Sequence, residues 1–184
     1  MALLHTPPAT LGAAAPDFNL PGVDGKLHAL ADYSSHPVLV VMFICNHCPY
    51  VQAVEPRLIA LARELAGQGV GFVAINSNDS SHYPEDSFGA MKARAQAKNY
   101  PFDYLLDDSQ QVARDYDAVC TPDFFVYDQQ RRLAYRGRLD DSPHDAAKVS
   151  RQELKEAALA LLAQQPVATL QHPSMGCSIK WRQH

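Results

Sequence analysis

Residues Val38 to Phe43 read Val-Leu-Val-Val-Met-Phe, and Ile44 carries this apolar run directly into Cys45-Asn46-His47-Cys48. An uninterrupted run rich in β-branched side chains suits a central strand covered on both faces, as in a parallel sheet. A helix is expected to start at the second cysteine, so the two thiols sit where a buried strand hands over to a helix. Unpaired backbone N–H groups and the helix dipole favour negative charge there, and the leading thiol, Cys45, is expected to ionise more easily than a free cysteine. His47, when protonated, adds a second stabilising charge.

A C-x-x-C pair is also half of a structural zinc site, but that chemistry requires a second ligand pair at comparable spacing. The other two of the four cysteines, Cys120 and Cys177, stand alone in sequence. A redox dithiol is therefore the leading reading, with a metal half-site and inert thiols beside it. At 184 residues and 47% hydrophobic content the chain can bury a core as one domain, read as a lead-in over 1–16, a core over 17–165 and a tail over 166–184. A net charge of −4 gives no sign of nucleic-acid binding. The N-terminus lacks the basic region and long apolar run of a signal peptide or membrane anchor, so the expectation is a cytoplasmic protein with no membrane partner. In that reducing compartment disulfides form transiently, which favours catalytic over structural cysteines.

Gly22, Asp24 and Gly25 supply turn chemistry for a hairpin near residues 17–28. After the motif, Val51, Val54, Leu58, Leu61 and Leu65 recur at helical spacing up to Gly67, with Pro56 expected to kink the helix. Val70 to Asn76 reads as a second core strand, followed by a polar loop, Asn76 to Ser81, expected on the same rim as Cys45. Pro84, Glu85 and Asp86 open a helix running to Lys98, Phe102 to Leu106 is a short strand, and a short helix ends near Tyr116. The run after Pro122 is a strand whose hairpin partner spans Leu133 to Arg138. Ser150-Arg-Gln-Glu153 has the form of a capping box for a last helix. The tail shows no helical period.

This order of elements resembles the thioredoxin fold. Ala15-Pro-Asp-Phe-Asn-Leu, Asp24-Gly-Lys, Phe43-Ile-Cys-Asn-His-Cys-Pro and Thr121-Pro122 are similar to the redoxin group, the alkyl hydroperoxide reductase and thiol-specific antioxidant superfamily. Cys45-Asn-His-Cys-Pro-Tyr-Val, Cys120-Thr-Pro-Asp-Phe-Phe and Pro173-Ser-Met-Gly-Cys-Ser-Ile-Lys-Trp resemble, more narrowly, a bacterial peroxiredoxin-like thioredoxin subfamily. The resemblance implies an α/β fold with a central mixed β-sheet flanked by helices, an N-terminal β-hairpin extension and an irregular C-terminal tail. It implies a thiol-disulfide oxidoreductase in which Cys45 attacks and Cys48 resolves. Thr121 and Pro122 form a cis-proline loop against the dithiol, and His47 tunes it. The partners are a protein or small-molecule disulfide and a thiol reductant, with no cofactor and no metal; the oligomeric state is left open.

The chain departs from thioredoxin where it has Leu39 for a buried aspartate, Ile44 for the tryptophan before the motif, and Asn-His for Gly-Pro. A histidine in the dipeptide resembles more oxidising relatives, so the couple is expected to be less reducing than thioredoxin's value of about −270 mV. Peroxiredoxins place their peroxide-attacking cysteine where Cys48 stands, which keeps a thiol peroxidase open, with Cys45, Cys120 or Cys177 resolving. Cys120 and Cys177 are the additional redox candidates: Cys120 reads alternatively as a buried small hydrophobe, and Cys177 as part of a tail anchored by Ile179 and Trp181. Were Cys177 redox-active, it was expected to pair with Cys120 or Cys45. A metal-binding or metal-delivery reading through Cys45, Cys48 and a distal histidine is the third alternative. His5, His28, His36, His82, His144, His172 and His184 form no ligand pattern and are expected to face solvent.

Overall fold

A computed structural model describes residues 3–182, so the C-terminal His184 lies outside the described residues. The strands are β1 (Leu3–His5), β2 (Asn19–Pro21), β3 (Leu27–Ala29), β4 (Val38–Phe43), β5 (Val70–Asn76), β6 (Asp103–Leu106), β7 (Cys120–Thr121), β8 (Asp123–Tyr127), β9 (Leu133–Gly137) and β10 (Met175–Ser178). The α-helices are α1 (Pro49–Ala66), α2 (Phe88–Lys98), α3 (Gln111–Asp115) and α4 (Glu153–Leu162).

The central sheet has the order β6-β5-β4-β8-β9, with β4, β5 and β6 parallel and β8 and β9 antiparallel to their neighbours. Every residue of β4 is fully buried, and alternation along the strand divides its side chains between two layers. Val38, Val40 and Met42 pack with the apolar faces of α1 and α4, while Leu39, Val41 and Phe43 join Phe18, Tyr116, Phe125 and Ile179 on the other face. Among the described residues no helix is long and apolar enough to cross a membrane.

The β2–β3 hairpin forms as expected, with Gly25 taking the left-handed conformation of its turn at φ +86. Helix α1 begins at Pro49 with Cys48 as its N-cap and runs unbroken through Pro56 to the Gly67 cap. The helix expected from Pro84 to Lys98 is instead two elements, a 3-10 turn over Pro84–Asp86 and α2, because extended Ser87 caps α2 by accepting the Ala90 N–H. The Ser150 capping box does not form. Ser150 donates its hydroxyl to Asp141, and Glu153 takes a charge-assisted bond from Arg138.

The tail expected to be irregular contains a strand. β10 pairs antiparallel with β7 on one side and with β1 from the lead-in on the other, giving a second sheet of order β1-β10-β7. No periodicity marks so short a strand, whose stability comes from partners far away in sequence.

Candidate active site

The site lies where β4 ends. Ile44 still pairs with the sheet through its N–H to the Ile75 carbonyl at 3.0 Å. The chain then turns through Cys45-Asn46-His47 to Cys48, whose carbonyl accepts the Gln52 N–H at 3.0 Å in the first turn of α1. The Thr121–Pro122 peptide is cis and brings Thr121 against both thiols. Cys45 Sγ lies 3.2 Å from the Thr121 hydroxyl, and Cys48 Sγ lies 3.2 Å from the Thr121 carbonyl. Both cysteines are buried. Cys177 Sγ, carried by β10, lies 2.9 Å from Cys48 Sγ. Thus Cys177 meets Cys48, the contact that the peroxidase alternative needs, and not the Cys45 or Cys120 sulfur.

The two thiols of the motif are pushed in opposite directions. The neighbouring Cys48, then burial, then the charge of Asp86 push the Cys45 thiol well above its ordinary range. The neighbouring Cys45 lowers the Cys48 pKa to about 5 despite burial, helped by the contact with Cys177 and by the backbone N–H groups of Val51 and Cys177. The Thr121 carbonyl favours a protonated Cys48, but two thiols and two N–H groups outweigh one acceptor. Cys48 is the N-cap of α1, where the helix terminus favours negative charge, and Cys45 stands three residues ahead of it.

Asp86 is the residue that sequence reasoning missed. It was read as a first-turn acid of a helix; in the fold it is fully buried beneath the motif. Its carboxylate accepts the Asn46 N–H at 2.7 Å and the Asn78 amide at 2.7 Å, and pairs with His47 Nδ1 at 2.6 Å. Asn46 is held further by the Tyr104 hydroxyl at 3.0 Å. The polar loop after β5 thus lies beside the motif as expected, with Asn76, Ser77, Asn78 and Asp79 buried. Leu39 stays an apolar core residue, and the buried acid near the dithiol comes from a different element. The bond to Asp86 raises the His47 pKa against the opposing effect of burial. Burial works against ionised Asp86, but bonds from His47 and Asn78 prevail and hold its carboxyl below the ordinary range. His47 stacks on Tyr83 at 5.0 Å, and its Nε2 is buried without a partner among the described residues.

Cys120 lies in β7, where burial pushes its thiol far up and its one hydrogen-bonding contact is the Pro122 carbonyl at 4.0 Å. Ile179 anchors the tail in the core, whereas Trp181 is 37% exposed beneath the Arg114 guanidinium. Of the scattered histidines, His5, His82 and His144 are exposed, and His28, His36 and His172 are half-buried. A cavity of about 230 Å³ lies alongside Pro122, lined by Tyr50, Val54, Phe124, Arg138 and Pro173. Cys45, His47 and Asp86 each offer one ligand atom within 4.8 Å of the others. A metal there would have to displace the Asp86 bonds and deprotonate the less acidic thiol, so the donor set fits a proton network better than a cation.

Residues 11–136 match the family model described as AhpC/TSA family. The chain belongs to the AhpC/TSA family. A conserved protein from Geobacillus kaustophilus, described as uncharacterized, is similar over 99% of this chain and 97% of its own, at 47% identity and a TM-score of 0.95. A hypothetical protein from Sinorhizobium meliloti is similar over 97% and 98% of the two chains, at 45% identity and a TM-score of 0.93. A secreted Mycobacterium tuberculosis disulfide oxidoreductase, described as homologous to E. coli DsbE, shares the fold at 22% identity and a TM-score of 0.60, over 78% of this chain and 96% of its own. Among the curated proteins none matches this chain. This AhpC/TSA chain is thus a redoxin with the thioredoxin fold.

In this AhpC/TSA protein, Asp86→Asn is expected to lower the His47 pKa below its ordinary 6.5, because burial then acts without the carboxylate. Imidazole titration by NMR reads this directly; an unchanged His47 would mean that the pair does not set its charge. The linkage sign follows from the two shifts. Raised His47 contributes stability that is fully present below 6.5 and lost as pH rises through its folded value. Depressed Asp86 contributes stability that is present above 3.8 and lost as pH falls through its folded value.

Proposed function

We propose that the protein is a thiol-disulfide oxidoreductase working through the Cys45/Cys48 couple, with Cys48 as the thiolate that attacks and Cys45 as the thiol that resolves. The observation supporting this assignment is the position of Cys48 Sγ at the N-terminus of α1 among S–H and N–H donors, beside a protonated Cys45. In the forward half-cycle the Cys48 thiolate attacks a substrate disulfide, forming a mixed disulfide and expelling one substrate thiolate. Cys45 then attacks the Cys48 sulfur, releasing the second substrate thiol and closing the Cys45–Cys48 disulfide. His47, whose pKa the bond to Asp86 raises, is the proton source for the first leaving thiolate when it carries its proton. Thr121 orients both sulfurs, and Pro122 forms the wall beside them. An external thiol reductant restores the dithiol, and we place this cycle in the cytoplasm, where such reductants keep thiols reduced.

A second reading, peroxide reduction, is favoured by the same Cys48 thiolate in an AhpC/TSA chain. The thiolate would take one oxygen from a peroxide to become a sulfenic acid, and Cys45 would condense with it to the same disulfide, releasing water.

One set of reactions separates these readings. Reduced protein is given one equivalent of a small aromatic disulfide or of hydrogen peroxide, and the products are mapped by mass. The proposal expects fast reaction with the disulfide, arrest at a mixed disulfide on Cys48 in Cys45→Ser/Cys177→Ser, and no reaction in Cys48→Ser. Retained exchange in Cys48→Ser would return the attacking role to Cys45. Preferential consumption of peroxide, with a sulfenic acid on Cys48 in Cys45→Ser/Cys177→Ser, would replace the first reading by the second.

A further inference from the structure

The reaction above uses two thiols, yet the structure gathers three. Cys177 Sγ touches Cys48 Sγ at 2.9 Å from the side occupied by the tail. This contact is held on both flanks. On one flank, Ser174 donates its hydroxyl to the Pro122 carbonyl at 2.6 Å and exchanges bonds with Thr6. On the other, the Ile179 N–H meets the Val119 carbonyl at 2.9 Å and the Lys180 N–H meets Asn78 Oδ1 at 2.8 Å. Between them Cys177 is in register with Thr121 of β7. The fit is close enough that a Cβ on Gly176 would stand 1.9 Å from the Thr121 carbonyl oxygen. A strand docked on backbone and delivering a sulfur to the attacking thiol has the arrangement of a thiol partner in an exchange reaction, built into the same chain.

Resting on the dithiol reading above, we propose that Cys177 is a third redox thiol, which takes the disulfide from the Cys45–Cys48 pair by internal exchange. The Cys177 sulfur attacks Cys48; the Cys45–Cys48 bond breaks as the Cys48–Cys177 bond forms. The electron pair leaves on Cys45, which takes up the proton that Cys177 gives up. One disulfide is consumed and one is made, so no further oxidant is required. Burial and donation to Cys48 push the Cys177 thiol up to about 12 in the reduced protein. Closure of the Cys45–Cys48 disulfide removes the charge on Cys48 that contributes to this. The exchange moves the oxidised bond from the motif to the tail strand and frees Cys45 while Cys48 is still oxidised.

The test uses full-length Cys45→Ser, reduced and then incubated with about 0.1 mM oxidised glutathione, with disulfides mapped by mass after acid quench. A tethered thiol competes at an effective concentration of millimolar or more, so the Cys48–Cys177 crosslink should exceed the Cys48–glutathione adduct by about tenfold. Cys45→Ser/Cys177→Ser should convert that crosslink entirely into the adduct. A stable adduct on Cys48 with Cys177 free, in Cys45→Ser, overturns the third-thiol proposal and leaves the dithiol reading standing. A Cys48 that neither crosslinks nor forms an adduct overturns both. In the unaltered protein given one equivalent of oxidised glutathione, the Cys48–Cys177 linkage should appear beside Cys45–Cys48. Its complete absence would again overturn the internal exchange.

Discussion

Replacing Cys48 with serine is expected to abolish a thiolate transition centred near pH 5 and to lower disulfide-exchange activity by about three orders of magnitude or more. The cause is the set of groups around one sulfur: the Cys45 and Cys177 thiols, the Val51 N–H at the start of an 18-residue helix and the Cys177 N–H of β10. Thiolate absorbance in the ultraviolet, followed from neutral to acid pH, reads the transition. Activity of the unaltered protein should hold through neutral pH and fall as pH drops through about 5, where Cys48 takes up its proton. Cys45→Ala should keep a Cys48 transition but shift it upward, since the largest contribution to the lowered value comes from Cys45. The same stabilisation favours the reduced protein. The couple is therefore expected to lie several tens of mV above thioredoxin's value of about −270 mV. A transition that survives Cys48→Ser, or a potential at or below that value, would show that the charge resides elsewhere.

Gly176→Ala is expected to lift the tail strand from its seat. The added Cβ would lie 1.9 Å from the Thr121 carbonyl oxygen, 2.6 Å from its carbonyl carbon and 3.1 Å from Pro122 Cδ. Backbone at a packed loop cannot yield as a flexible side chain can, so β10 must move. Overpacking of this kind costs about 1–3 kcal/mol. If that cost falls on the β7–β10 contact, the open population rises roughly tenfold to a hundredfold, at 1.4 kcal/mol per factor of ten. Cys48, fully buried in the seated form, should then be alkylated faster by a similar factor, while the melting temperature falls by several degrees. Gly67→Ala is the control: its added Cβ meets nothing within 4 Å, and both readouts should stay unchanged. Equal alkylation rates in Gly176→Ala and Gly67→Ala would mean that the tail does not cover the thiol.

The limits of sequence reading are clearest at Asp86 and Cys177. Cys177 reads from the sequence as a redox candidate but not as part of a strand, and Asp86 does not read as part of the site at all. Asp86 is 38 positions after Cys48 in a short 3-10 turn, where an acid has an ordinary helix-start explanation. Asn46, Asn78 and His47 converge on it only after β4 and β5 have paired in parallel and brought their carboxyl ends to one rim. Cys177 sits in a strand of four residues with no period of its own. Its register is fixed by β1 and β7, from opposite ends of the chain.

The sequence by itself determined the framework. The apolar run from Val38 to Phe43 required a strand covered on both faces. The spacing of Val51, Val54, Leu58, Leu61 and Leu65 required a helix, which places the C-x-x-C at the junction of the two. These are local rules, because side-chain periodicity and capping act over a few residues. Tertiary structure alone decided which distant groups face the two thiols. A buried thiol's pKa is set by every donor and charge within a few ångströms, whatever its distance along the chain. At Cys48 those groups are Cys45 close by in the motif and then α1 and β10, while the charge of Asp86 works against Cys45 from a separate turn.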